Sequence, residues 1–230
     1  MLRDNYNSVL DNIKKACDRA GRDVSEVKLI AVSKTKPIPM LQEIYDAGAR
    51  DFGENKVQEI LAKKPELPDD IRWHMIGHLQ TNKVKQVIDK ACLIHSVDSY
   101  RLAQEISLQA KKNKMTAQIL VEVNIAEEES KFGITKEDAI ELVRQIAELD
   151  NIEIRGLMTI APYVVSAEEN RLYFRQIKQL AVDIAAENID NVYMNELSMG
   201  MTGDYEVAIE EGATIVRVGT GIFGERNYNK

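Results

Sequence analysis

The chain has only two cysteines among its 230 residues, and Cys17 and Cys92 form neither a CxxC pair nor a metal-type spacing. So sparing a use fits buried thiols in a reducing compartment and excludes a disulfide framework. No apolar run approaches the roughly 20 residues needed to span a bilayer. The opening stretch "MLRDNYNSVLDNIKKACDRAGR" carries charges throughout and lacks the apolar core of a secretion signal. The expectation is a cytoplasmic protein with no membrane contact that starts on an amphipathic helix over residues 2–20. Positive charge is scarce too: 30 Lys and Arg face 37 Asp and Glu, a net charge of -7. Nucleic acid is thereby disfavoured as a partner, because phosphate-backbone affinity needs a cationic footprint. There is no Pro/Gly/Ser-rich linker and no low-complexity tract. No GxGxxG follows the first strand-like run, and no GxSxG marks a nucleophile elbow, which sets hydrolysis aside.

What is present is a regular alternation of two periodicities. Strand-like runs are "VKLIAVSK" (27–34), "DFGEN" (51–55), "RWHMIG" (72–77), "CLIHSVD" (92–98), "TAQILVEVN" (116–124), "IEIRGLMTIA" (152–161), "VYMNELSMG" (192–200) and "TIVRVGTGIFG" (214–224). Between them lie runs such as "SYRLAQEISLQAKKN" and "KEDAIELVRQIAELD", apolar at three-and-four spacing, and Gly48 and Gly212 fall where helices would end. Eight alternating units predict an α/β fold: a single (β/α)8 barrel of the TIM type with an extra N-terminal helix. A doubly wound open sheet is the competing arrangement. The whole chain, 1–230, reads as one domain: helix and lead-in over 1–26, barrel over 27–224, tail over 225–230.

Barrels of this kind carry their chemistry at the C-terminal strand ends. In "LIAVSKTKP" a buried strand ends on Ser33 and Lys34. Two readings of Lys34 are open: an ammonium reaching water over an apolar stem, or a desolvated nucleophilic amine. After strands seven and eight, where barrels often hold phosphate, "SMGMTGDYEVAI" and "RVGTGIFG" offer Gly200, Gly203, Gly219 and Gly221 for close backbone approach. Ser198, Thr202 and Thr220 add hydroxyls, and Asp204 stands where it could cap a helix. Arg217 lies inside a strand and needs an anion or acceptor, either a ligand or an interior carboxylate such as Glu54 or Glu122. His74 and His78 are four apart, but on a strand running into a loop that spacing does not make a metal site. Together, a strand-end lysine, a phosphate cradle and an adjacent arginine fit pyridoxal 5'-phosphate (PLP) held covalently on Lys34 as an internal aldimine, with Arg217 facing the pyridine nitrogen.

The stretches "AVSKTKP", "FGENKVQE", "WHMIGHLQTNK", "GLMTI", "ELSMGMTGDYEVAI" and "VRVGTGIFG" resemble the pyridoxal phosphate homeostasis protein family, in register from Leu29 to Gly224. That family is similar in fold to the N-terminal barrel of alanine racemase and binds PLP through the lysine of its AVSK motif. The resemblance implies that Lys34 is the Schiff-base lysine, that Ser198, Gly219 and Thr220 contact phosphate, that Arg217 partners the pyridine nitrogen and that Asn55 lines the pocket. Lys36, Lys83 and His78 fall in matching motifs as rim residues.

Three functions follow from such a site: a PLP carrier or regulator serving PLP-requiring apoenzymes, an amino-acid racemase, and a cofactor-free phosphosugar enzyme. The last leaves the AVSK pattern unexplained. An always-charged arginine opposite the pyridine nitrogen weakens the electron sink used in carbanion chemistry. Two-base racemisation needs a second acid-base group, for which Tyr228 in "ERNYNK" is the tail candidate. The expectation is a monomeric, non-catalytic PLP protein, with racemase the alternative.

Overall fold

The computed structural model describes residues 1–128 and 131–225. Its strands are β1 (Lys28–Val32), β2 (Asp51–Glu54), β3 (Arg72–Met75), β4 (Ala91–Val97), β5 (Ala117–Glu122), β6 (Ile152–Met158), β7 (Val192–Met201) and β8 (Ile215–Val218). All pair in parallel in chain order, and β8 returns to β1 with Ile30 opposite Arg217. That last pairing closes the barrel and rules out the open sheet. The helices are α1 (Leu2–Ala20), α2 (Ile38–Asp46), α3 (Val57–Lys63), α4 (Val84–Val87), α5 (Tyr100–Lys112), α6 (Lys136–Ala147), α7 (Arg171–Ala186), α8 (Tyr205–Glu210) and α9 (Thr220–Phe223). No helix among the described residues is long and apolar enough to cross a membrane.

Strand alternation sorts the core into two parts. Ile30 and Val32 meet Ile76, Leu93, Leu120, Met158 and Ile215 inside the barrel. Leu29 and Ala31, one residue out of phase, pack instead into the larger cluster beneath the helices.

The expected N-terminal helix is α1. Tyr6, Val9, Ile13, Ala16 and Cys17 form its buried stripe, and Gly21 ends it at φ 64, a left-handed turn that glycine adopts freely. It covers the side of the barrel at α8 and α9. Asn5 donates to the Ile222 carbonyl, Arg19 pairs with Glu206 and Glu210, and Arg22 donates to the Ile209 and Ala213 carbonyls.

One expected element differs. The run 214–224 is strand only as far as Val218, and "TGIF" is the short helix α9, whose Phe223 amide donates to the Gly219 carbonyl at 2.9 Å. Adjacent apolar residues Ile222 and Phe223 read like strand in the sequence, but both are buried by α1 and the core. The first strand also stops early, at Val32, leaving Lys34 in a turn.

Candidate functional site

A cavity of about 890 Å³ opens at the C-terminal strand ends. Lys34, Asn55, Arg217, Gly219 and Thr220 all line it, so five of the six expected site residues are brought together. Ser198 is not among the lining residues; its hydroxyl is buried and already engaged.

Lys34 sits half-buried two residues beyond β1, in a turn gripped from behind by α3. The Lys63 ammonium, itself buried, donates to the Ser33 carbonyl (2.8 Å), Glu54 Oε1 (2.7 Å) and Glu59 Oε2 (2.8 Å). Burial pushes the Glu54 carboxyl up, to about 7, against the pull of Lys63 and Ser33. Asn55 follows β2 directly, and Gly77 lies so close that a Cβ there would stand 2.5 Å from the Asn55 carbonyl oxygen. Asn55 Oδ1 is buried with no hydrogen-bond partner among the described residues, an acceptor left for something in the cavity.

Arg217 makes no ion pair with Glu54 or Glu122 among the described residues. Its guanidinium donates to Ser198 Oγ (2.5 Å) and the Thr159 carbonyl (2.8 Å), both neutral. Burial lowers its pKa to about 10, opposed by the fields of Glu122 and Asp204, so it stays charged at neutral pH. Glu122 also faces the interior, and burial, with Asp98 adding, pushes its carboxyl to about 7.

Behind Arg217 a hydrogen-bonded chain crosses the barrel. Ser198 Oγ lies 2.9 Å from His95 Nδ1, His95 Nε2 lies 3.0 Å from His74 Nδ1, and His74 Nε2 lies 2.9 Å from Asp51 Oδ1, which Arg72 also holds. The donors can be assigned by elimination. The Asp51 carboxylate only accepts, so His74 Nε2–H donates to it; neutral His74 Nδ1 then accepts from His95 Nε2–H, and neutral His95 Nδ1 accepts from the Ser198 O–H. Both histidines are neutral in this arrangement, in keeping with burial lowering their pKa values. Burial opposes the Asp51 charge, yet hydrogen bonds from His74 and Arg72 hold its carboxyl far below the usual range.

The glycine loops divide by role. Gly203 and Gly219 line the cavity with Thr202 and Thr220, whose hydroxyls lie 3.2 Å apart. Gly200 and Gly221 do not. At Gly200 (φ 90) a Cβ would stand 2.9 Å from the Tyr205 Cα, and at Gly221 one would stand 2.9 Å from Val218 Cγ1, so both serve packing. Asp204 begins α8 but does not cap it: its carboxylate accepts instead from the Met201 amide (2.7 Å) and the Asn170 side chain (2.8 Å).

Of the rim residues, Lys36 reaches the carbonyls of Phe223, Gly224 and Glu225 at 3.0 to 3.2 Å. His78 stacks on Phe132 with ring centroids 4.0 Å apart and, with Lys83, lines a neighbouring cavity. Among the described residues no cluster of three or more His, Cys, Asp or Glu could hold a metal. Tyr228 lies outside the described residues. Sequence reasoning missed Lys63, Asp51 and His95; for His95 the signal was there, because it shares the inward phase of Leu93. It also missed Tyr163, which lines the cavity.

The sequence matches the family described as alanine racemase, N-terminal domain, over residues 5–227. It is 49% identical over 221 residues to the pyridoxal phosphate homeostasis protein of Aquifex aeolicus, covering 96% of both chains. With the protein of that name from Escherichia coli K12 it shares 39% identity over 231 residues, 98% of this chain and 97% of the other. A solved structure of PipY from Synechococcus elongatus with PLP bound superposes with a TM-score of 0.84 at 35% identity, covering 97% of this chain and 100% of that one. Alanine racemase of Clostridium difficile shares the fold alone, with a TM-score of 0.76 at 15% identity over 58% of its length. By near-complete coverage at these identities, the chain belongs to the pyridoxal phosphate homeostasis protein family.

Proposed function

We propose that this protein binds PLP at the barrel mouth, holds it covalently through Lys34, and serves intracellular PLP supply without strong catalysis of its own. The observation that carries this reading is one cavity that joins the Lys34 amine to Thr202, Gly203, Gly219 and Thr220, with buried Arg217 beside them. The donor set suits a phosphate-bearing aldehyde, and the unpaired Asn55 Oδ1 offers an acceptor to a ring hydroxyl. The PLP-bound relative and the names of the relatives support it. When bound, the cofactor supplies an electrophilic aldehyde and a ring able to accept electrons. Lys34 would supply the amine that bonds to that aldehyde carbon, the carbonyl oxygen being lost as water. Thr220, Thr202 and the Gly219 backbone bind the phosphate. Ser198 acts one step back, as the acceptor that aims Arg217. Arg217 would stand on the side of the pyridine nitrogen and, being charged, would keep a proton off it.

The same reading has the whole chain acting as one PLP-binding domain, as a cytoplasmic monomer that hands cofactor to apoenzymes. Tyr163, 99% exposed, does not close over the cavity as a second base would.

The test is an absorbance spectrum of the purified protein before and after borohydride reduction, followed by peptide mapping. Reduction should fix PLP on Lys34; label on Lys36 or elsewhere overturns the assignment. Incubation with single-enantiomer amino acids in deuterated water should give no sustained racemisation. Inversion at about 1 per second or faster would make the protein a racemase.

A further inference from the structure

The Lys34 turn carries a feature that binding alone does not require. Thr35, a β-branched residue, has φ 63, in the left-handed region that such side chains avoid. A residue held there persists only where its surroundings impose the conformation. Both peptide groups flanking Lys34 are held by the same helix. On one side the Ser33 carbonyl accepts from Lys63 at 2.8 Å, and the Ser33 hydroxyl donates to Glu54 at 2.7 Å. On the other side the Thr35 amide donates to Glu59 Oε2 at 2.6 Å. Glu59 Oε2 also accepts from Lys63 at 2.8 Å, so one ammonium ties the two grips together. Lys63 thereby spends all three of its protons, on Ser33, Glu54 and Glu59.

We infer that Lys63 and Glu59 form a positioning clamp: they hold Thr35 in its left-handed conformation and so aim the Lys34 side chain at the mouth for covalent capture of its partner. Neither residue lines the cavity, and neither touches the reacting atoms. The clamp acts on the backbone on both sides of Lys34. An amine whose carrier backbone drifts by about 1 Å loses a large part of its advantage in attacking a fixed carbonyl. The inference rests on Lys34 being the residue that bonds the cofactor.

The experiment uses Glu59→Ala, which removes the Thr35 acceptor at a partly exposed site, and Glu59→Gln, which keeps an acceptor oxygen. Three quantities are measured: the rate of covalent PLP capture, the affinity for pyridoxamine 5'-phosphate, which has no aldehyde, and amide hydrogen exchange at Thr35 in cofactor-free protein. Glu59→Ala should slow capture about tenfold, speed Thr35 exchange, and leave the pyridoxamine phosphate affinity within twofold. Glu59→Gln should recover most of the capture rate. Adding Thr35→Gly to Glu59→Ala should also restore part of it, since glycine adopts the left-handed conformation without a clamp. Unchanged capture in Glu59→Ala overturns the clamp, and so does an equal loss of capture and of pyridoxamine phosphate affinity. Lys34→Ala, mapped in parallel after borohydride reduction, separates the two claims. Label persisting elsewhere on the chain refutes the Lys34 assignment itself, whereas loss of label with normal capture in Glu59→Ala refutes only the clamp.

Discussion

Two walls of the same cavity each present a basic side chain, and they hold it by opposite means. On the β1 side the support is ionic and lies outside the barrel, between β2 and α3: Lys63 with Glu54 and Glu59. It grips the backbone around Lys34. On the β8 side the support lies inside the barrel and is neutral for most of its length: Ser198, His95 and His74 carry hydrogen bonds from Arg217 toward Asp51. It grips the guanidinium itself. The difference matches the chemistry asked of each. On the proposed reading, a bond-forming amine needs the backbone that carries it fixed, whereas an arginine that acts by charge and direction gains from a fixed fork. Neutral histidines also separate the Arg217 charge from the Asp51–Arg72 pair without adding a further buried charge to the barrel interior.

Six substitutions, two of them outside both supports, sharpen that contrast. Lys63→Met breaks the ionic wall and leaves Glu54 and Glu59 facing each other without their cation; it should cost about 3–5 kcal/mol, read by denaturant unfolding. Lys63→Met with Glu54→Gln should recover part of that loss, and no recovery would show that packing, not charge, holds this wall.

Glu122, interior but outside both supports, measures how the barrel treats an unsupported carboxyl. Its folded pKa is raised from 4.5 to about 7, so its contribution to stability is complete below about pH 4.5 and is lost as pH rises through 7. Glu122→Gln should match the natural chain at low pH and exceed its stability by up to about 3 kcal/mol above pH 7. Parallel pH profiles of the two chains would contradict this.

His95→Leu breaks the neutral wall, leaving the Ser198 O–H without its acceptor and His74 Nδ1 without its donor, so that Ser198 is held only by Arg217. The loss should be about 2 kcal/mol, with weakened cofactor retention because Arg217 is no longer aimed. Retention unchanged in a folded His95→Leu chain would detach the histidine chain from the cavity. The smallest effect belongs to Thr220→Val, which is part of neither support and removes a single hydroxyl from the glycine loops that line the cavity. It should reduce PLP retention by about 1 kcal/mol without moving thermal stability. Ser198→Ala, by contrast, should change both.

The barrel was legible because eight apolar runs alternate with three-and-four patterned helices, a signal spread over the whole chain. Lys34, Asn55, Gly219 and Thr220 were legible for a related reason, since strand-end position in a barrel already says which way a residue faces. What escaped were partnerships. His95 meets Ser198 across 103 residues of sequence, and no local pattern announces that one hydroxyl is already taken. Lys63 stands beside Lys64 in the sequence with no motif to mark it, although α3 turns it inward onto Ser33 and two carboxylates. The glycines of the last two loops looked equivalent as well. Only the approach of Tyr205 to Gly200 and of Val218 to Gly221 separates those that pack from those that face the cavity.

The way α1 is fastened sets an order of events for folding. Its polar anchors are far along the chain, 187 to 217 residues away, at Glu206, Ile209, Glu210, Ala213 and Ile222. β1 likewise finds its second neighbour only in β8. During synthesis the first helix and one edge of the first strand stay unsatisfied until α8, β8 and α9 emerge, and such long-range closure is slow. Arg217, Gly219 and Thr220 arrive in that same final segment. The cavity at the strand ends is therefore complete only once the ring has closed, and a nascent chain short of β8 has Lys34 but not the wall that faces it.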